Sequence, residues 1–382
     1  AIAQSSWTRP AHMSIFTGLH PREHGYVALA DRKRLDDGVP TIASVLRDEG
    51  YRTGAFTGGV NMNADYGFDQ GFDVYRTNGK YFRDNFEDAR YWLDQNGGSR
   101  FFLFFHGYDA HTPYLTDPVD RVALGLPRQP PQIGLRKTCR GEGPSERIQP
   151  YIDEYDGAVH RADRYVGKMM NELKTRGLLE RTIVVIFSDH GEEFLEHGRC
   201  FHLATLYREV LHVPLLLLAP GLAPRRIPEL VSASVTLAPT VMQMLGLPSV
   251  FPGHSLLPAA LGGAAPRAPV ISETERSLKQ EGDGLVRSLT YTGEKLIHWV
   301  THNRHARFNL QSDAAELHPA PGSARETILA DELERWAVAH PRRLSSRRAS
   351  EPGERSADAG TGGDDDDLKR REQDLRSFGY VE

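Results

Sequence analysis

Residues 182–193 read TIVVIFSDHGEE, an unbroken apolar run closed by a turn that carries an acid, an imidazole and a glycine. A continuous β-branched and aromatic run fits a strand covered on both faces, as in a parallel sheet. Open α/β sheets place their ligand sites at the carboxyl ends of such strands. Asp189 and His190 therefore stand where chemistry is expected. The carboxylate and imidazole they offer are ligands that zinc or manganese accept. The competing interpretation is a helix start, with Ser188 or Asp189 capping and Glu192 completing a capping box. His197 and His202 follow closely and favour the metal.

Working outward, strand-like and helical stretches alternate, which marks an α/β layered sheet. Pro40 and Thr41 open a helix with Ile42, Val45 and Leu46 on one face, stopped by Gly50. Thr53–Thr57 and Phe101–Phe105 read as strands, the second apolar throughout. Ile148, Ile152, Tyr155, Val159, Ala162, Val166, Met169, Met170 and Leu173 recur at helical steps before Gly177. Pro214–Leu218 reads as a further buried strand, and Val235–Leu245 as a helix capped by Gly246. From Pro266 the pattern changes: Leu285–Tyr291, Lys295–Val300 and Phe308–Leu310 look like short strands, and Arg325–Ala339 like a helix. The expected fold is a large, mostly parallel sheet flanked by helices, with a small C-terminal antiparallel α+β subdomain. The expected division is a catalytic domain at 1–265, the subdomain at 266–340, a disordered linker at 341–367 and a closing segment at 368–382. The linker is Arg/Ser-rich, then Gly-rich, and Asp364–Asp367 within it reads as solvated charge, since it lacks spaced ligands.

The composition is that of a globular chain: 382 residues, 39% hydrophobic and 25% charged. With 46 basic against 51 acidic residues the formal charge is −5, which argues against a nucleic-acid partner. The two cysteines, Cys139 and Cys200, rule out a disulfide scaffold or a multi-cysteine zinc ribbon. No apolar run reaches the length of a membrane span. The chain opens at Ala1 rather than Met, so a preceding segment is expected, and cellular location and oligomeric state are not legible.

Two more motifs carry reactive side chains. Ser6-Trp7-Thr8-Arg9-Pro10-Ala11-His12 places a threonine hydroxyl ahead of a proline turn. Such a hydroxyl is either a helix N-cap or, beside a metal or base, a nucleophile. A helix start there also favours an anionic ester. His106-Gly107-Tyr108-Asp109-Ala110-His111 again follows a buried strand, and a histidine in that place can give a proton to a leaving group.

In their order along the chain, SSWTRPAHMSIFTGLHPREHG, YGFDQGFDVY, FLFFHGYDAHTPY, YDGAVHRADRYVGKMMNEL, IVVIFSDHGEEFLEHG, LYREVLHVPLLLLAPG and LAPTVMQMLGLP resemble the sulfatase family of the alkaline-phosphatase superfamily, as does the closing LRSFGYVE. The resemblance implies an alkaline-phosphatase-like α/β domain with a metal-centred site. It puts Thr8 at the nucleophile's position, and Asp189 and His190 at those of metal ligands, with Thr8 also on the metal. His111 and His202 take places that contact the substrate, and Arg9 and His12 flank the nucleophile within reach of the ester oxygens. The cation is expected to be zinc, manganese or calcium.

The departures refine this expectation. Sulfatases of the activated type have a Cys or Ser followed two residues later by Pro and four later by Arg. Here the corresponding run is Thr8-Arg9-Pro10-Ala11-His12, so formylglycine is not expected at Thr8. A Lys-x-His element is also missing from TGAFTGGVNMN at 53–63, and the family's first strand with its metal-binding Asp is expected to precede Ala1. A threonine nucleophile resembles the superfamily's phosphodiesterases, phosphonate hydrolases and phosphoglycerol transferases. A phosphorylated threonine is released by attack of water at phosphorus, whereas a sulfated one is harder to release. The expected function is metal-dependent hydrolysis of a sulfuric or phosphoric ester. The alternatives are a transferase of that superfamily and an inactive glycan-binding module. The expected partner is a sulfated or phosphorylated small molecule, glycan or lipid head group.

Overall fold

The computed structural model describes residues 1–31, 33–77, 79–129, 139, 148–276, 283–320, 322 and 324–343. Most of the expected 341–367 linker and all of 368–382 lie outside the described residues. Along the chain come α1 (Thr8–Thr17), α2 (Pro21–His24), α3 (Ile42–Asp48), β1 (Arg52–Phe56), β2 (Val74–Arg76), α4 (Phe82–Asn96) and β3 (Phe101–Phe105). Next are α5 (Pro118–Leu124), α6 (Gln149–Thr175), β4 (Val184–Phe187), β5 (Glu193–Phe194), β6 (Cys200–Phe201), α7 (Arg208–Leu211) and β7 (Leu215–Leu218). The described chain closes with α8 (Leu237–Met244), α9 (Leu257–Ala260), β8 (Val270–Arg276), β9 (Gly284–Tyr291), β10 (Glu294–Trp299), β11 (Arg304–Asn309) and α10 (Ala324–Ala339). The expected α/β class holds: a parallel sheet with helices, and an antiparallel sheet toward the C-terminus. Two compact units form, one of Ala1–Ile42 with Glu180–Ser346, the other containing Ala43–Leu179.

In the second unit β2, β1 and β3 make a parallel three-stranded sheet with β1 in the centre. The helix α4 lays Phe86, Ala89, Trp92 and Leu93 inward at three- and four-residue steps. Trp92 lies flat on β1 at Gly54, where an added Cβ would come within 2.6 Å of the indole. Glycine is required there because the indole occupies the side-chain space.

In the first unit the opening residues are stitched between two segments that come much later. Ile2 donates its N–H to Val231 O at 2.8 Å and accepts from Ala233 N at 2.7 Å, while Ala3 N reaches Leu211 O at 2.8 Å. Ile2 and Ala3 are buried with Leu206, Val210, Leu211, Val286, Ile297, Trp299 and Phe308. The antiparallel sheet runs β11-β10-β9-β8, one strand more than the short runs suggest. Its Ile271, Leu289 and Leu296 pack on Leu329 and Leu333 of α10. One expectation is corrected. β4 and β7 pair with each other antiparallel and not within the parallel sheet; every residue of β4 is only half-buried, and Leu216 and Leu218 of β7 are 50% and 39% exposed, so neither strand is fully covered on both faces. Alternate side chains of a strand face opposite ways, and in β7 one of those faces is open.

His24 fixes α1 against the turn after α2. Its Nδ1 accepts from Tyr26 N at 3.2 Å, so Nε2 carries the hydrogen, and it meets Ser14 Oγ at 3.0 Å. Burial, helped by His20 and Lys33, pushes the imidazole down to about 3. The unfolded chain titrates near 6.5, so this contribution to stability is complete above that pH and is lost as pH falls toward 3. At pH 5 the loss is expected to be about 2 kcal/mol. Denaturation midpoints at pH 7.5 and pH 5 check it: the acid-induced drop should be smaller in His24→Asn than in the parent chain.

Candidate active site

Thr8 is delivered by a clamped segment. Glu273 N bonds Gln4 O at 2.9 Å, Ser272 Oγ bonds Ala3 O at 2.6 Å, and Leu203 N bonds Ser6 O at 3.0 Å. Gln4 Oε1 also takes Ser234 N at 2.7 Å. The chain then turns into α1 with Trp7, in extended backbone, as the N-cap residue and no side-chain capping bond. Thr8 is therefore the first helical residue and not the cap, which leaves its hydroxyl for other work. That hydroxyl is 1% exposed by residue and lies 3.4 Å from His190 Nε2.

The capping interpretation of residues 188–192 also fails, because no helix follows them. The strand β4 ends and the chain turns at Ser188, whose Oγ donates to His190 O at 2.6 Å. His190 Nδ1 lies 2.8 Å from Gly191 O, and a carbonyl only accepts, so Nδ1 holds the hydrogen and Nε2 keeps its lone pair. Asp189 Oδ2 is 3.4 Å from that same Nε2 and 3.2 Å from His12 Nδ1. His12 stands one helical turn after Thr8, with Nδ1 3.0 Å from Thr8 O. A hydroxyl oxygen, a carboxylate oxygen and a free imidazole nitrogen thus converge, and the histidine is oriented by a carbonyl on its other nitrogen. A donor set of this kind suits a divalent cation.

His202 is buried beside the pair, its ring centroid 4.4 Å from that of His190. Its Nδ1 is 2.9 Å from Glu192 Oε1, a partnership that sequence reading misses because Glu192 reads there as a capping residue. Burial, with the neighbouring His190, pushes the His202 imidazole well below its ordinary range. Arg9 turns to the following loop and donates to Asp31 O at 2.7 Å, its guanidinium over the Trp7 ring. His111 belongs to the second unit, with Nδ1 2.7 Å from Thr112 O and its ring against Tyr108. The loop that carries it is held by Asp109, which takes Arg161 Nε and Phe82 N, each at 2.7 Å, in full burial.

Gly191 is required by close approach: an added Cβ would stand 2.0 Å from Glu209 O, and Gly191 N already bonds Val210 O at 2.9 Å. Gly191→Ala is expected to push the turn outward, taking His190 with it. The result should be a lower melting temperature and divalent-cation binding weakened by roughly 10–100-fold. Calorimetric titration of the variant against the parent chain measures the second effect.

Among the described residues no helix is long and apolar enough to cross a membrane. The sulfatase family model matches residues 1–247. The chain is similar to arylsulfatase K of Xenopus laevis, 28% identical over 206 residues, which is 46% of this chain and 38% of that protein. It is 34% identical to arylsulfatase K of Bos taurus over 126 residues, 32% of this chain and 23% of that one. The chain thus spans well under half the length of the curated relatives it matches. Among solved structures it resembles a protein in complex with its substrate D-glucosamine-2-N,6-O-disulfate, with TM-score 0.71 and 18% identity over 89% of this chain and 90% of that one. It also resembles the phosphonate monoester hydrolase of Silicibacter pomeroyi, with TM-score 0.69 and 20% identity over 89% of this chain and 86% of that one. At such identities the likeness speaks for the fold, which is alkaline-phosphatase-like. Members of the matched family generally use a divalent metal.

Proposed function

The chain belongs to the sulfatase family, and from that premise we propose that it is a metal-dependent hydrolase of anionic esters with Thr8 as nucleophile. The observation that carries this reading is the Thr8 hydroxyl, buried and uncommitted to capping, 3.4 Å from an imidazole nitrogen whose lone pair Asp189 also faces. Thr8, Asp189 and His190 would hold the cation. When bound, a divalent cation lowers the hydroxyl pKa and offsets charge developing on the ester oxygens.

The chain's own groups supply the rest. The N-terminus of α1, with no acidic residue in its first turn, favours the anionic ester beside Thr8. The Thr8 proton is released to solvent, the Oγ–phosphorus bond forms and the ester P–O bond breaks. His202 stabilises the departing oxygen, which takes its proton from solvent, and water then opens the Oγ–phosphorus bond. His12 holds Asp189 in place, while Arg9, turned toward Asp31 O, would have to leave that bond to reach the ester.

Phosphoryl is the transferring group that a plain threonine alkoxide serves best, because water can release it. Sulfate is favoured by the relatives, whose names are arylsulfatases. Matched aryl phosphate, phosphodiester and sulfate esters, offered to the full-length protein with and without manganese or zinc, decide between them. Metal-dependent phosphoester turnover supports the reading. Sulfate turnover by a chain with unmodified Thr8 overturns the chemical argument for phosphoryl. Tight metal binding with no turnover of any ester favours a glycan-binding module.

A further inference from the structure

The hairpin after the strand-end motif holds a second group of ligating side chains. β5 and β6 pair antiparallel, and the loop between them passes through left-handed backbone at Leu195 (φ 73°) and Gly198 (φ 78°). That bend sets His197 against α7. One ligand atom each from Glu193, His197 and Glu209 lies within 4.8 Å of the others. His197 Nδ1 is 2.6 Å from Glu209 Oε1, and Nε2 is 2.9 Å from the backbone O of Glu316. Because the carbonyl accepts from Nε2–H, Nδ1 is the nitrogen presented to the carboxylates. A histidine with one N–H on a carbonyl and the other nitrogen on a cation is the usual arrangement around bound metals. Tyr207 stacks parallel on the ring, centroids 3.6 Å apart and 2° between planes. Thr205 Oγ1 donates to Glu193 Oε2 at 2.9 Å and orients that carboxylate in turn.

A single imidazole faces two buried carboxylates. Glu193 is 1% exposed, and the Glu209 side chain 12%. Among the described residues no lysine or arginine side chain pairs with either one, and the buried Lys295 is committed to both oxygens of Glu316. Two buried carboxylates facing one imidazole need either shared protons or a cation.

We propose that Glu193, His197 and Glu209 form a zinc site separate from the Asp189–His190 pair, tying the β5–β6 hairpin to α7. Three protein donors of nitrogen and oxygen suit zinc, with a fourth position left to water. The inference does not depend on the ester chemistry proposed above.

The test uses the full chain, stripped with chelator, in a background of Asp189→Asn with His190→Ala that removes the first pair. Zinc chloride titrated into it is expected to bind one equivalent and to raise the melting temperature. Glu209→Gln added to that background should weaken zinc at least 100-fold, and Thr205→Val by about tenfold through the orienting bond. Melting in chelator reports whether each variant folds; where Glu209→Gln does not fold, Thr205→Val carries the comparison. No zinc bound in the double background overturns the proposal. So does zinc binding of undiminished affinity in Glu209→Gln or, if that variant is unfolded, in Thr205→Val.

Discussion

Replacing Thr8 with alanine is expected to reduce ester turnover by at least about 10⁴-fold while leaving the fold in place. The hydroxyl makes no capping bond, so its loss removes no support from α1. The segment before it stays pinned by the bonds of Ala3, Gln4 and Ser6, none of which involves the Thr8 side chain. Asp189 and His190 remain, so divalent cations should still bind, only more weakly by the loss of one oxygen donor. A drop in turnover with an unchanged melting temperature is therefore the expected pair of results. A Thr8→Ser variant, which keeps the hydroxyl, should retain a large part of the activity.

The largest effect on stability is expected at Lys295 and Glu316. Each side chain is 3% exposed, and Lys295 Nζ bonds both carboxylate oxygens of Glu316, at 2.9 and 2.8 Å. The carboxylate also takes Arg208 N at 3.2 Å, so it joins β10 to the start of α7. Lys295→Met would leave a carboxylate buried without its cation. Breaking such a pair from one side costs about 3–5 kcal/mol, and the apparent melting temperature should fall by roughly 10 °C. The double change Lys295→Met with Glu316→Leu should cost less than either single change, because no charge is then left unpaired. Thermal melts of the three variants check this.

The parts of the fold written as apolar runs were legible along the chain. β3 forms over its five phenylalanine and leucine residues and α6 over the long periodic run, but α6 buries Tyr151, Glu154, Ala158 and Arg161, and of the expected face Met169 and Leu173 are buried while Val159 is exposed. β8 escaped because its interior is polar. Ser272, Glu273 and Thr274 are all buried, Glu273 paired with Arg287 at 2.8 Å and Ser272 and Thr274 bonded to distant carbonyls. Their burial depends on partners that no local pattern announces. β7 misled in the other direction: four leucines in a row look buried, yet half of them face outward. In the site, Thr8, His12, Asp189, His190 and His202 were all visible as residue types beside strand ends or turns. The Glu192–His202 and Glu193–His197–Glu209 contacts were not visible, since a glutamate beside DHG looks the same whether it caps a helix or meets a histidine ten residues on.

A covalent bond to the Thr8 oxygen separates this chemistry from its alternatives, and it can be trapped. The full-length protein would be mixed with an aryl phosphate and a divalent cation, quenched in acid during turnover and digested for peptide mass spectrometry. A phosphoryl group on Thr8, absent when substrate is omitted, is the predicted result. Turnover that leaves Thr8 unmodified while another side chain carries the group would contradict it.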